Sequence, residues 1–436
     1  MKPTATDHAE PAQHAEHAAI ERSAYLWNTA SGLLMAFQSV IMLVVLTHVV
    51  DTATAGVFTI AYANANLFLN LGKYGVRNYQ VSDVSERYGF RTYLLSRAIT
   101  TAAMVACGGI WLAWSNATVG YTADKALTIL MMLLFKAVDA IEDVYHGNYQ
   151  QYGRLDVAAK VLTARLLSMI VVFAGLIIAT RDLLLSLTVT TVFTALFFVG
   201  ETVYVKRAFQ LPVSKRPGNP RGGLIRETLS QLVSCFPVFL ALFLLFYIGN
   251  APKYAIDAAL DDTAQAYYGF IAMPVFVVGL LSSFIYNPII ASLAEDWAER
   301  NARRFATRFA VQCGLVCAIT LACIAGAWVL GVPVLSALYN ADLAPYKIDL
   351  IILLVGGGFL ALVTLFTTGI TIIRRQRALI PGYVVVSLLA LGLSPVAVKA
   401  AGIDGASWIY LALMAVLSLW FGVVFAIGVR QGARQA

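Results

Sequence analysis

Residues 158–205 read AAKVLTARLLSMIVVFAGLIIATRDLLLSLTVTTVFTALFFVGETVYV. Two apolar stretches, 158–180 and 183–205, are separated only by Arg181-Asp182. A helix needs about 20 apolar residues to cross a hydrocarbon core. Each stretch is therefore a span, and the pair predicts two spans joined by a tight turn. Working outward, stretches of the same kind recur near 24–48, 54–76, 94–115, 124–147, 225–249, 264–289, 306–330, 347–372, 379–398 and 405–429. The chain is 59% hydrophobic and 13% charged, far from the averages of soluble domains. The expectation is an all-α integral membrane protein of twelve transmembrane helices.

The charges orient it. With the N-terminus inside, the 31 Lys and Arg residues fall mainly in alternate gaps. The outer gaps hold only Lys125, Arg181, Lys253, Lys347 and Lys399, and Lys136 lies within a span. Such an excess marks the cytoplasmic side, so both termini are expected there, in a bacterial cytoplasmic membrane. The net charge of +7 then reflects loops facing anionic lipid, and no nucleic-acid partner is implied.

The longest inner connection, 206–226, carries three prolines and divides the spans six and six. The expected organisation is a disordered tail (1–22), a first lobe (23–207), a linker (208–223), a second lobe (224–430) and a short tail (431–436). At an offset of 211, Ala55–Ala61 lies over Ala266–Ala272 and Arg97 over Arg308. This echo suggests two parallel lobes related by an axis along the membrane normal. Residues 1–20 lack the apolar centre of a signal peptide, and their His8, His14 and His17 read as part of the tail. The five cysteines lie in spans without metal-site spacing, so no metal or other cofactor is expected.

Two spans carry polar stripes. In the second, Thr59, Tyr62, Asn66, Asn70, Lys73 and Arg77 recur every three or four residues, within about 80° of arc on one helix. In the fourth, Lys136 lies near mid-bilayer, and Asp139, Asp143, His146 and Gln150 follow on its face with Glu142 at the edge. A charge at such depth costs about 3 kcal/mol even on the mildest scale. Either the Lys136–Asp139 pair satisfies itself, or the stripe lines a hydrated cavity where cations meet an anion and a carboxylate exchanges a proton. Arg97, Arg165 and Arg308 sit inside the inner ends of their spans. Each alone reads as snorkelling; together they suggest a positive vestibule. Pro237, Pro274, Pro288 and Gly356-Gly-Gly358 mark places where helices break or bend.

The stretch Lys73-Tyr-Gly-Val-Arg-Asn-Tyr-Gln-Val-Ser-Asp83, with Arg87-Tyr-Gly-Phe-Arg-Thr-Tyr93 and Arg97, resembles bacterial polysaccharide flippases of the multidrug/oligosaccharidyl-lipid/polysaccharide exporter superfamily. Asn250–Asp257, Gln265–Pro274, Tyr286-Asn-Pro288 and Leu335–Tyr339 add to the likeness. The resemblance implies two six-helix lobes around a central cavity that opens alternately inward and outward. It implies transfer of a polyprenyl-diphosphate-linked oligosaccharide to the outer leaflet, in a cell-envelope pathway with a polymerase and glycosyltransferases as partners. A basic cavity would hold the diphosphate. The candidate residues are Arg77, Arg97 and Lys136, supported by Lys73, Arg165, Arg308, Asn66 and Asn70, with Asp139 and Asp143 for proton or ion coupling.

Two other functions compete. A membrane glycan polymerase, ligase or glycosyltransferase needs an outer acid/base site, and only Asp257, Asp261 and Asp262 cluster there, on a short loop. A cation-drug antiporter needs a deep carboxylate in the first span, and none lies between Glu21 and Asp51. No nucleotide-binding fingerprint or nucleophile triad appears, so no enzyme is expected.

Overall fold

The computed structural model describes residues 9–83, 85–209 and 223–433. Most of the expected linker, with its Lys215, Arg216 and Arg221, lies outside them, as do His8, the side chains of His14 and His17, and residues 434–436. The described chain is helical and contains no strand. Its α-helices are α1 (Ala9–Val49), α2 (Thr52–Lys73), α3 (Val76–Ser82), α4 (Phe90–Val119), α5 (Ala123–Gln151), α6 (Leu155–Thr180), α7 (Leu183–Ala208), α8 (Leu224–Ala259), α9 (Asp262–Ala272), α10 (Val275–Tyr286), α11 (Ile290–Ala298), α12 (Ala302–Gly326), α13 (Val332–Tyr339), α14 (Lys347–Ile372) and α15 (Leu379–Ala433). The first begins at Ala9, inside the segment expected as a tail.

Local chemistry sets the boundaries. Free N–H groups at helix starts are taken by side-chain oxygens of Thr122 (α5), Asp182 (α7), Asp261 (α9) and Asn301 (α12). Left-handed residues close α4 at Gly120, α6 at Arg181 and α13 at Asn340. The α6–α7 turn is thus Arg181 ending one helix and Asp182 capping the next. Pro274 separates α9 from α10, and Pro288 lies in a 3-10 turn ahead of α11.

Nine stretches among the described residues are long and apolar enough to cross a membrane. Helices α2 and α5, which carry the polar stripes, are not among them. The expected spans 379–398 and 405–429 merge into one helical run, Gln376–Gly432. Within it, Ala401 (φ −141°, ψ 16°) and Gly402 (φ 59°, ψ −130°) leave helical geometry, in the gap between those two expected spans.

The chain divides into two compact units. Among the described residues, the first comprises those within 9–49 and 64–239, and the second those within 50–63 and 240–433. The units differ from the expected lobes by exchanged segments. The first half of α2 belongs to the second unit, and the start of α8 belongs to the first.

In the second unit, the early part of α2 packs on α9, where a Cβ on Gly269 would stand 2.7 Å from Thr59 Cγ2. Helix α14 runs between α10, α12 and α15. The Gly356-Gly-Gly358 run has a packing role here. Added methyls would lie 2.6 Å from the Tyr410 ring, 3.0 Å from Val275 and 2.5 Å from Thr320. Phe305, Phe309, Phe366 and Phe425 form an aromatic cluster in which Phe309 and Phe425 stack at 4.0 Å. Gly358→Val is therefore expected to overpack this seam and cost ~1–3 kcal/mol. Gly175→Ala on α6 meets nothing within 4 Å and is expected to be neutral or to gain ~0.5–1 kcal/mol. Thermal unfolding of the two detergent-solubilised variants checks both signs.

Candidate functional site

The site lies in the first unit, where α5 packs against α3, α4, α6 and α7. At Gly72 a Cβ would come 2.7 Å from Met104 Sδ and 3.0 Å from Ala140 Cβ, so glycine lets α2 close on α4 and α5. Helix α2 ends one residue later. Tyr74 (φ 50°) and Gly75 (φ 68°) are both left-handed, and the chain turns into α3. This corrects the single stripe expected from Thr59 to Arg77. Lys73 ends α2, and Arg77 projects from α3, a separate helix. Gly147 on α5 admits Gln80 and Arg77 of α3 against its backbone.

The turn frees the Gly72 carbonyl, which accepts hydrogen bonds from Arg97 Nη1 (2.7 Å) and Thr100 Oγ1 (2.8 Å). A cation at a helix C-terminus also complements the helix dipole. The other end of the Arg97 guanidinium donates to Asp143 (Nη2–Oδ2 2.8 Å). Asp143 receives Arg77 as well (Nη1–Oδ1 3.3 Å), and Arg77 Nη2 donates to Gln150 Oε1 at 3.0 Å. One turn along α5, Asp139 meets Lys136 (2.9 Å) and Arg165 of α6 (2.9 Å), and Arg165 Nη2 reaches Glu142. The result is a ladder of ion pairs along α5.

Exposure separates its members. The Arg97 side chain is 0% exposed, and Arg165 and Lys136 are nearly as buried. Neither arginine snorkels; both are fixed by carboxylates inside the bundle. Arg77 is 28% exposed. Lys73 is half-buried and forms no ion pair within 4 Å among the described residues. Asn70 donates to Asn66 O of its own helix at 2.9 Å, and both asparagines are half-buried. Arg308 does not join the cluster. In the second unit it shares Asp296 with Arg304, at 2.8 and 3.2 Å. Asp139 and Asp143, expected to exchange a proton, are each held by two cations.

Sequence reasoning passed over Glu201 on α7, whose side chain lies beside His146 and Glu142. Its signal was a carboxylate in an apolar span, only a turn from the C-terminal end. It also passed over Asp83, which organises the α3–α4 loop. Asp83 accepts the N–H groups of Arg87 (2.8 Å) and Tyr88 (3.0 Å) and the hydroxyls of Tyr93 (2.8 Å) and Ser85 (3.2 Å). Burial opposes its ionisation, but these four donors outweigh it and hold the carboxyl below its usual 3.8.

Solved structures similar over nearly the whole chain share one fold. The lipid II flippase MurJ in an inward closed conformation aligns with a TM-score of 0.70 and 11% identity, over 94% of this chain and 90% of that one. An inward-facing multidrug resistance MATE transporter of the MOP superfamily aligns with 0.63 and 14%, over 95% and 99%. A MOP-superfamily transporter from Pyrococcus furiosus aligns with 0.53 and 14%, over 96% of each chain. No protein-family model matches the chain, and no curated protein does. The chain thus has the multi-pass membrane fold of the MOP-superfamily transporters, the superfamily its sequence resembles. The proteins that share it are transporters and flippases.

Two outcomes test the ladder. Arg97→Met strands Asp143 with a single partial counter-ion, and breaking a buried pair from one side costs ~3–5 kcal/mol. Arg97→Met with Asp143→Leu removes both charges and is expected to melt above the single variant in a fluorescence-based unfolding assay. At the loop, a lowered carboxyl stabilises the fold above its unfolded value and loses that contribution as pH falls through the lower folded value. Amide exchange at Arg87 and Tyr88 should therefore rise steeply below pH ~3.8. Asp83→Asn should abolish that rise.

Proposed function

We propose that the protein is a flippase. It moves a polyprenyl-diphosphate-linked oligosaccharide from the inner to the outer leaflet by alternating access. Its twelve spans form two six-helix lobes in a bacterial cytoplasmic membrane, with both termini inside. The observation that carries this reading is the excess of positive charge about α5. Arg77, Arg97, Lys136 and Arg165 pair with Asp139, Glu142 and Asp143, Lys73 is a further cation on α2, and the cations left accessible are Lys73 and Arg77.

A diphosphate head group meets that half-buried rim first. Charge-assisted contacts to phosphate offset the desolvation that keeps a charged head group out of lipid. Arg97, Lys136 and Arg165 lie behind the rim and hold the field in place. When the head group engages Arg77, Asp143 loses one of its two counter-ions and becomes the coupling site for an incoming cation, with Asp139 beside it. An inside-negative potential drives the anion outward by about 2.3 kcal/mol per charge per 100 mV. The glycan stays in water-filled space lined by polar groups such as Asn66 and Asn70. Glycosyltransferases supply this substrate on the inner side, and a polymerase consumes it on the outer.

A cation-drug antiporter has the same fold. The sign of the accessible charge favours the anionic substrate, and α1 has no carboxylate between Glu21 and Asp51. A reversed pocket polarity is what suggested a different function for the Pyrococcus protein.

The test is transport of a fluorescent polyprenyl-diphosphate sugar in proteoliposomes. Lys73→Ala and Arg77→Ala should each slow it about tenfold or more, the loss of a charge-assisted contact of ~1.5–3 kcal/mol. The exposed outer Lys399→Ala should leave it unchanged. Undiminished transport in both rim variants, or efflux of cationic drugs instead, would overturn the assignment.

A further inference from the structure

The α5 ladder ends in a group that its ion pairs leave unsatisfied. Glu142 and His146 stand one turn apart on α5, and Glu201 faces them from α7. Their side chains are 3%, 4% and 7% exposed. His146 Nε2 lies 3.3 Å from Glu142 Oε1 and 3.9 Å from Glu201 Oε1, and one ligand atom from each residue lies within 4.8 Å of the others. Yet Glu142 Oε1, His146 Nε2 and Glu201 Oε2 are buried without a hydrogen-bond partner. Arg165 occupies the other oxygen of Glu142 and leaves Oε1 turned toward the imidazole. Buried polar atoms without partners are costly. Glu142 Oε1 and His146 Nε2 stand 3.3 Å apart with Glu201 beside them, and together they mark a missing occupant.

We infer that Glu142, His146 and Glu201 form a binding site for a divalent transition-metal cation, with Zn2+ or Mn2+ as the class. Metal–nitrogen and metal–oxygen bonds of about 2.0–2.2 Å place neighbouring tetrahedral ligands about 3.4 Å apart, the scale of the observed 3.3 and 3.9 Å. One imidazole with two carboxylates suits first-row divalent ions, whereas Ca2+ and Mg2+ favour all-oxygen sites. Two carboxylates also neutralise a divalent charge beside Arg165. A mainly apolar groove of ≈450 Å³, lined by Lys160, Ala164, Phe197 and Tyr204, borders Glu201. The rival occupant is a proton, since Glu142 and Glu201 also lie within hydrogen-bonding reach of each other. A single proton bridges one pair and leaves His146 Nε2 unmet. The site does not depend on the flippase assignment.

The experiment is calorimetric titration of ZnCl2 and MnCl2 into chelator-stripped, detergent-solubilised protein. It is run on the full chain and on an H8A/H14A/H17A variant that removes the tail histidines. One saturable equivalent is expected in both. His146→Ala and Glu201→Gln, made in the tail variant, should weaken binding by roughly 100-fold or more with unchanged gel-filtration elution. X-ray absorption at the zinc edge on the tail variant itself should show one imidazole with oxygen ligands and no sulfur. This reading holds even where the substituted proteins fail to fold. No stoichiometric binding to the tail variant, binding indifferent to both substitutions, or sulfur in the shell would overturn the site. The first of these leaves a proton between Glu142 and Glu201 as its occupant.

Discussion

The low dielectric around α5 is the constraint on which the first unit depends. An ion removed from water loses several kcal/mol of solvation even after the protein relaxes. Arg97, Lys136 and Arg165 are all buried, so Arg97 and Arg165 must meet carboxylates of another helix, and Lys136 meets Asp139 one turn along its own. Asp139, Glu142 and Asp143 do this from a single helix because three- and four-residue spacing puts them on one face. Helices α3, α4 and α6 are then positioned by the cations they bring. Ionic complementarity thus orders helices that lipid would otherwise leave free to slide, since tails are as apolar as Leu.

Backbone details make the pairing geometry reachable. A helix that ends inside a membrane bundle must dispose of its last carbonyls. Helix α2 ends where Arg97 and Thr100 both donate to Gly72 O, so the freed carbonyl anchors α4. The same turn moves Arg77 onto α3, where the absent side chain at Gly147 lets it lie against α5. Toward the α3–α4 loop, Asp83 does for loop amides what Asp143 does for guanidiniums. From α8, Gln231 accepts from Ser96 and Glu227 from Thr92, which fastens that helix's start to α4.

Much of this was legible in the sequence. Hydropathy located the apolar helices, and Arg181-Asp182 marked a turn whose second residue caps the helix that follows. The charges of α5 declared themselves by their depth. Three things were not legible. A break after Lys73 is hidden by its sequence, because Tyr74 gives no sign of a left-handed backbone and only Gly75 hints at one. Pairing between helices depends on rotation and register, so Arg165 with Asp139 and Glu142, or Arg308 with Asp296, cannot be read along one chain. Glu201 was lost because a lone carboxylate near a span end looks like an interfacial residue until α5 is seen against it. At Gly356–Gly358 hydropathy marks only glycines, and the structure adds that three neighbours approach α14 there.

The paired ladder also limits how an anion can be handled. A head group cannot reach Arg97 or Arg165 without displacing a carboxylate, and every displaced carboxylate left in low dielectric has its own cost. A head group that stops at Lys73 and Arg77 avoids most of it, because Lys73 has no ion pair to break among the described residues and Arg77 holds Asp143 only at 3.3 Å. Asp143 keeps Arg97 at 2.8 Å when Arg77 leaves, so it remains ionised but loses half its neutralisation. Anion arrival at the rim and cation affinity at α5 are therefore linked through one carboxylate. By reciprocity, whatever cation fills α5 must strengthen the hold on the anion by the same factor.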